Sequence, residues 1–395
     1  MDRGDLPHLA RHLMVTGGIT DATTVFPSTT GVAYLPFLTG CYPGTCNIPG
    51  IRWLDRANYA GHWWRDRAQV RSYCGSQGGQ LNHDLAPGIR TLFDIERDSL
   101  AICTPFSRGL PPSRVRCGTA RAIWGGVAHY TMGYAKLESA VGTALVRAAP
   151  AQHRFTFAVF PGVDGVTHYC DPWHQDVLNI YRQFDRIFRD YVAAGGTDGD
   201  HLTLLVSDHG LSRIERHVDL AVAFERHGSA VLRHPMHLWR RDPSVAVMVS
   251  GNASAQIYLV PNTPRAFRQD LSAIEAGQAG VSGEIVRRLA QLPGIAMVVA
   301  TEGNDVVVVS ANGRARLSVD VANRIRYLPE CGDPLLLGGE AERHEREWLA
   351  LSHDGAFPDA PTQLMQLFRA QRTGDLVVIA APGTDLREEW EYPEH

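Results

Sequence analysis

Two short apolar runs, each followed at once by an acid and a histidine, restrict the folds open to this chain more than anything else in it. Residues 155–160 (FTFAVF) run into PGVDGVTH, and residues 202–206 (LTLLV) run into SDHG. Between them, residues 176–194 place Val177, Ile180, Tyr181, Phe184, Ile187, Phe188 and Tyr191 at helical spacing, and Gly195-Gly196 stops the pattern. Short apolar strands alternating with such helices predict a largely parallel sheet covered on both faces. Ligands of these sheets bind beyond the carboxyl ends of the strands. Both acid–histidine pairs fall there.

Other stretches extend the pattern. Leu6, Leu9 and Leu13 predict a short helix ended by Gly17-Gly18. Residues 100–106 read as a strand and 131–147 as a helix. Residues 243–261 hold two strand-like runs around Gly251-Asn252, and a helix over 283–292 follows. Next come a strand over 296–300 and a hairpin of 306–310 with 315–319, joined by Asn312-Gly313. Residues 376–381 return to a core-type strand. The expected division is a core of residues 1–240 and 341–395, with an α/β subdomain inserted over 241–340.

Composition excludes several classes. The 395 residues are 44% hydrophobic and 20% charged, as in ordinary globular protein. A net charge of −4 gives no general attraction to nucleic acid or anionic membrane. There is no run of 18 apolar residues to span a membrane, and residues 1–13 lack a signal-type apolar core. The seven cysteines are scattered without a C-x-x-C, which argues against a thiolate zinc site or a disulfide framework. A reducing compartment, hence the cytoplasm, is the expectation. Lys136 is the sole lysine among 38 basic residues, a skew that coding bias explains.

The chemistry concentrates in three places. In residues 25–40 (VFPSTTGVAYLPFLTG) a β-type lead-in reaches three hydroxyls, Ser28, Thr29 and Thr30, and then an apolar run suited to a helix ending at Gly40. Pro36 either delays that helix or kinks it. A hydroxyl at a strand-to-helix turn meets backbone N–H groups and the positive helix end, a sensible place for a nucleophile that attacks phosphorus. Ser and Thr are also the commonest N-caps. The second and third places are Asp164 with His168, at i, i+4, and the adjacent Asp208 and His209. Carboxylate oxygen with imidazole nitrogen suits Zn²⁺ in a hydrolytic site. Two such pairs at one sheet edge would hold two ions roughly 4 Å apart, the clamp used in phosphoryl displacement. Either pair alone is explained by a capping aspartate or a core histidine. Together with the Thr-rich turn, they favour metal. The aromatics Trp53, Trp63 and Trp64 suit a substrate cleft and a core equally.

FPSTTGVAYLPFLTG, then DGVTH, then SDHG resembles the type I phosphodiesterase/nucleotide pyrophosphatase branch of the alkaline phosphatase superfamily. The resemblance continues through PDAPTQLMQLF (358–368) and GDLVVIAAPG (374–383) and covers nearly the whole chain. It implies a three-layer α/β/α sandwich with a mostly parallel central sheet. It implies a covalent mechanism with Thr30 as nucleophile and Gly31 N–H on the phosphoryl oxygens; apart from the resemblance, the region of Trp53, Trp63 and Trp64 offers rings to stack on a base or cover a lipid head group of the substrate. Asp208 and His209 match ligands of the ion that activates the nucleophile, and Asp164 and His168 those of a second ion, both most often Zn²⁺. The implied substrate is a small phosphate ester. Phosphomonoesterase and phosphonate hydrolase share the metal core, and a non-catalytic binding protein on the same scaffold is the alternative from another class. The sequence departs from the pattern in three ways. It lacks the family's N-terminal strand with Asp-Gly and its last Gly/Ser-His-Gly histidine, for which Asp2, Asp5 and His395 are poor substitutes. Ala33 stands where many pyrophosphatases carry asparagine. The expectation is a fragment of a longer frame that lacks one ligand of each metal.

Overall fold

A computed structural model describes residues 4–61, 65–131, 133–199, 201–234 and 242–387, organised as two compact units. Trp63, Trp64, Asp2 and His395 lie outside the described residues.

The first unit contains residues 4–22 and 73–207. Its sheet has three parallel strands, β1 (Ser99–Ile102), β2 (Val115–Arg116) and β3 (Phe155–Ala158), with β1 in the centre. Leu100 and Ile102 of β1 pack against Leu137 and Val141 of the helix Tyr134–Ala148. The amphipathic stretch forms the helix Gln175–Ala193, which buries Val177, Ile180 and Phe188. Asp185 on that helix, itself buried, accepts from the His8 and Leu9 amides at 3.3 and 2.8 Å. It thereby anchors the start of the helix Pro7–Thr16, the element expected from Leu6, Leu9 and Leu13.

Residues 202–206 depart from expectation. They form no strand, and Leu202 and Leu204 are 82% and 73% exposed. Their composition is that of a buried strand, but a strand exists only through a ladder. Among the described residues none forms there.

The second unit contains residues 23–72 and 208–387. Its sheet uses β4 (Val231–Arg233), β5 (Val245–Val249), β6 (Ser254–Leu259), β7 (Ile295–Glu302), β8 (Asp305–Ser310), β9 (Gly313–Val319), β10 (Ile325–Gly332), β11 (Ala341–Arg343) and β12 (Leu376–Ala380). The spatial order is β11-β10-β9-β8-β7-β12-β6-β5-β4. Parallel pairing, expected to predominate, is confined in this sheet to β4–β5, and the remaining strand pairs are antiparallel. Tight connections such as the Asn312-Gly313 turn impose that direction. Both faces are nevertheless covered. Met297 and Val299 of β7 join Trp348, Leu364 and Leu367 on one side, and Val298 and Ala300 join Leu271, Ile285 and Leu289 on the other. That two-sided burial is why these strands read as unbroken apolar runs. All seven cysteines are free thiols, and no helix among the described residues is long and apolar enough to cross a membrane.

Candidate active site

The hydroxyl segment belongs to the second unit, where it is fixed by contacts distant in sequence. The Phe26 amide donates to Gln363 Oε1 at 2.8 Å, and Gln363 Nε2 donates to Asp359 Oδ2 at 2.9 Å. Thr23 Oγ1 lies 3.1 Å from His353 Nδ1, and Thr24 Oγ1 donates to the Asp208 carbonyl. The lead-in joins no ladder among the described residues. The helix begins only at Leu35, with Pro36 in its first turn, and ends at Thr39 before the left-handed Gly40. Thr30 therefore sits in the turn ahead of the helix rather than at its N-terminus, so the helix end is not what qualifies it.

What qualifies it is its neighbour. Ser28 is exposed and Thr29 is buried, whereas half-buried Thr30 places Oγ1 3.0 Å from His209 Nε2. His209 Nδ1 lies 3.0 Å from the Gly210 carbonyl oxygen, which only accepts, so Nδ1 carries the proton. Nε2 faces the threonine hydroxyl. Asp208 Oδ2 stands 3.5 Å from the same Nε2. Gly31 turns the chain next to Thr30 with φ 87°, a conformation that costs glycine little and other residues much. Gly251, at φ 74°, passes so close to Thr29 that an added Cβ would lie 2.7 Å from its methyl. Ala33 is buried and its amide donates to the Thr29 carbonyl, so no side-chain donor stands at that position.

Asp164 and His168 belong to the first unit. Asp164 is in the first turn of the helix Gly162–Thr167 that follows β3, and His168 is its C-cap. Their side chains meet at 3.7 Å between Oδ2 and Nε2. Beneath them Glu138, 1% exposed, accepts from the Gly162 amide at 2.6 Å. Its other carboxyl oxygen has no hydrogen-bond partner among the described residues. Burial, only partly opposed by the Gly162 bond, pushes the Glu138 carboxyl up to about 7.

Each cluster thus offers one carboxylate and one imidazole, and the first adds a hydroxyl. This is donor chemistry that fits a divalent ion. No group of three His, Cys, Asp or Glu side chains gathers for a metal among the described residues. Trp53 does not line a cleft. It is 1% exposed on the strand Arg52–Leu54, with the Arg372 guanidinium 4.4 Å from its ring, and its role is packing. Thr24, Glu138, Gly251 and Gln363 position the clusters, yet none stood out in the sequence. Gly251 drew notice only as a turn between two strand-like runs, and Gln363 only as part of PDAPTQ.

Over residues 1–395 the sequence matches the family described as "Type I phosphodiesterase / nucleotide pyrophosphatase". No curated protein matches it. Among solved structures it is similar to phosphonoacetate hydrolase from Sinorhizobium meliloti 1021 in complex with phosphonoformate. The identity is 15% and the TM-score 0.52, over 100% of this chain and 79% of that one. The same enzyme in complex with phosphonoacetate gives 15% and 0.53, over 99% and 79%. The likeness is one of fold, that of the alkaline phosphatase superfamily, as the sequence led us to expect.

Proposed function

Because the chain belongs to the type I phosphodiesterase/nucleotide pyrophosphatase family, and is thereby a phosphoric ester hydrolase, we propose that it cleaves small phosphodiesters or pyrophosphates with Thr30 as nucleophile. The observation that carries this reading is the 3.0 Å approach of Thr30 Oγ1 to Nε2 of His209. That contact holds the hydroxyl with its lone pairs free to attack phosphorus. The bond from Oγ1 to phosphorus forms as the hydroxyl gives up its proton to solvent and the bond from phosphorus to the leaving oxygen breaks, that oxygen taking a proton from solvent to depart as the alcohol. Water then releases the phosphoryl group from Thr30 and restores the hydroxyl. The Gly31 N–H faces the negative oxygens that develop.

The family is metal-dependent. Asp208 and His209, with Thr30, would hold one divalent ion, and Asp164 and His168 the other. We favour Zn²⁺ for this donor set. Bound ions supply the positive charge that favours a threonine alkoxide and offsets charge on phosphorus.

Thr30→Ala should lower hydrolysis of a chromogenic phosphodiester by about a thousandfold or more, with metal content by mass spectrometry largely retained on the remaining carboxylate and imidazole groups. Full activity in that variant would move the nucleophile to Ser28 or Thr29, or dismiss the reading. A second reading, phosphonate hydrolysis, is favoured by Ala33, which leaves the position of the pyrophosphatase asparagine apolar. Turnover of phosphonoacetate well above that of the diester would select it.

A further inference from the structure

A cavity of about 400 Å³ opens in the second unit, with Arg56, Arg268, Arg369, Arg372, Asp55 and Phe267 in its wall. It lies at the opposite end of β6 from Thr29 and Thr30. Gly251, which touches Thr29, precedes β6. At the far end of the strand the Leu259 amide donates to Asp375 Oδ2, beside Arg56 and Arg265. The strand's six residues separate the two ends by roughly 17 Å.

Four guanidinium groups meet one carboxylate in this wall, and Asp55 is already engaged with the Ala57 amide and the Asn58 side chain. Arg56, 3% exposed, spends its terminal nitrogens on the Thr373 and Gln371 carbonyls at 2.9 and 2.6 Å. Its Nε has no hydrogen-bond partner among the described residues. Arg268 likewise bonds only carbonyls, those of Ala370 and Phe368, at 2.8 and 2.7 Å. Asp375, 3.9 Å from Arg56, is shared with Arg265 and two backbone amides. Burial, and then the charge of Arg56, push the Arg268 guanidinium down to about 10. Arg56, Arg265 and Arg268 thus have the single buried carboxylate of Asp375 among them, so positive charge stays in excess and an anion is what such a pocket lacks. Arg369 is exposed and makes no side-chain hydrogen bond or ion pair among the described residues, so its planar fork is available to phosphate oxygens. Phe267 presents an open ring at the cavity, 83% exposed. The volume exceeds the needs of a lone phosphate and falls in the range of small-molecule sites.

We propose that this cavity binds a nucleotide-like organic phosphate, with its phosphoryl group on Arg369 and Arg372 and its planar ring on Phe267. The site is separate from the Thr30 centre, and the proposal does not rest on the catalytic reading. The test is calorimetric titration of the full-length protein with AMP, adenosine and inorganic phosphate at low salt. AMP should bind at least tenfold more tightly than either half-molecule. Arg369→Glu should weaken AMP at least tenfold and Phe267→Ala about threefold, and both exposed positions leave the melting temperature in place. Thr30→Ala should leave AMP affinity within twofold. AMP binding that survives both cavity variants, or that vanishes with Thr30→Ala alone, would overturn the proposal. So would equal affinity for phosphate and AMP, or no binding at all.

Discussion

Glu138 carries a consequence for pH that follows from its burial. Its carboxyl titrates near 4.5 when unfolded and at about 7 when folded. Between those values the folded chain keeps a proton that the unfolded chain has shed. Stability therefore falls as pH rises through that window and levels off above it. Glu138→Gln retains the carbonyl acceptor for Gly162 and removes the charge. By denaturant unfolding the variant should be more stable than the parent by about 3 kcal/mol at pH 8, and nearly equal to it at pH 5. The same gap at both pH values would mean that no buried charge is at stake. At Gly251 an alanine would meet the Thr29 methyl at 2.7 Å in a left-handed backbone. We expect a loss of about 1–3 kcal/mol and a fall in kcat through the displaced neighbour of Thr30. Unchanged kcat in a destabilised Gly251→Ala protein would show that Thr29 can shift without moving Thr30. Single residues drew notice where their type is chemically rare, as with Asp208-His209, whose side chains lie 3.5 Å apart. They were illegible where the role comes from burial or distance, as with Glu138 or Gln363, which meets Phe26 across 337 positions. Trp53 had the right type for a cleft, but only the fold places it in the core.

Elements were legible where a period runs long enough. The expected helix over 176–194 is found at Gln175–Ala193, and the hairpin around Asn312-Gly313 pairs Ser310 with Gly313. Strand direction was not, because apolar content marks two-sided burial without specifying the neighbour. The segment 202–206 shows the limit most plainly, since its apolar residues stand in solvent. Leu204→Ser should then change stability by no more than about 0.5 kcal/mol, whereas a buried strand position would lose about 2–5 kcal/mol. Amides 202–206 should also exchange with solvent within seconds. Slow exchange there, or a large loss from Leu204→Ser, would mean that the segment is paired.

At the scale of the whole molecule, neither unit is a continuous piece of chain. The second joins residues 23–72 to 208–387, and β12, placed between β7 and β6, supplies a central strand from near its end. The sequence offered a core with one insertion, and nothing local in it reveals such interleaving. The layout governs the order in which the protein can assemble on a ribosome. Thr30 and His209 are 179 positions apart, so at about 5–20 residues per second the histidine follows the threonine by about 9–36 s. The strand that joins β6 to β7 emerges later still. Throughout that interval Val32, Leu35 and Leu38, all fully buried at the end, stand without residues 208–387 of their unit. A nascent chain of this design must be kept from aggregating by something other than its own fold, so its yield in a cell depends on translation speed and chaperone supply as well as on the stability of the finished protein.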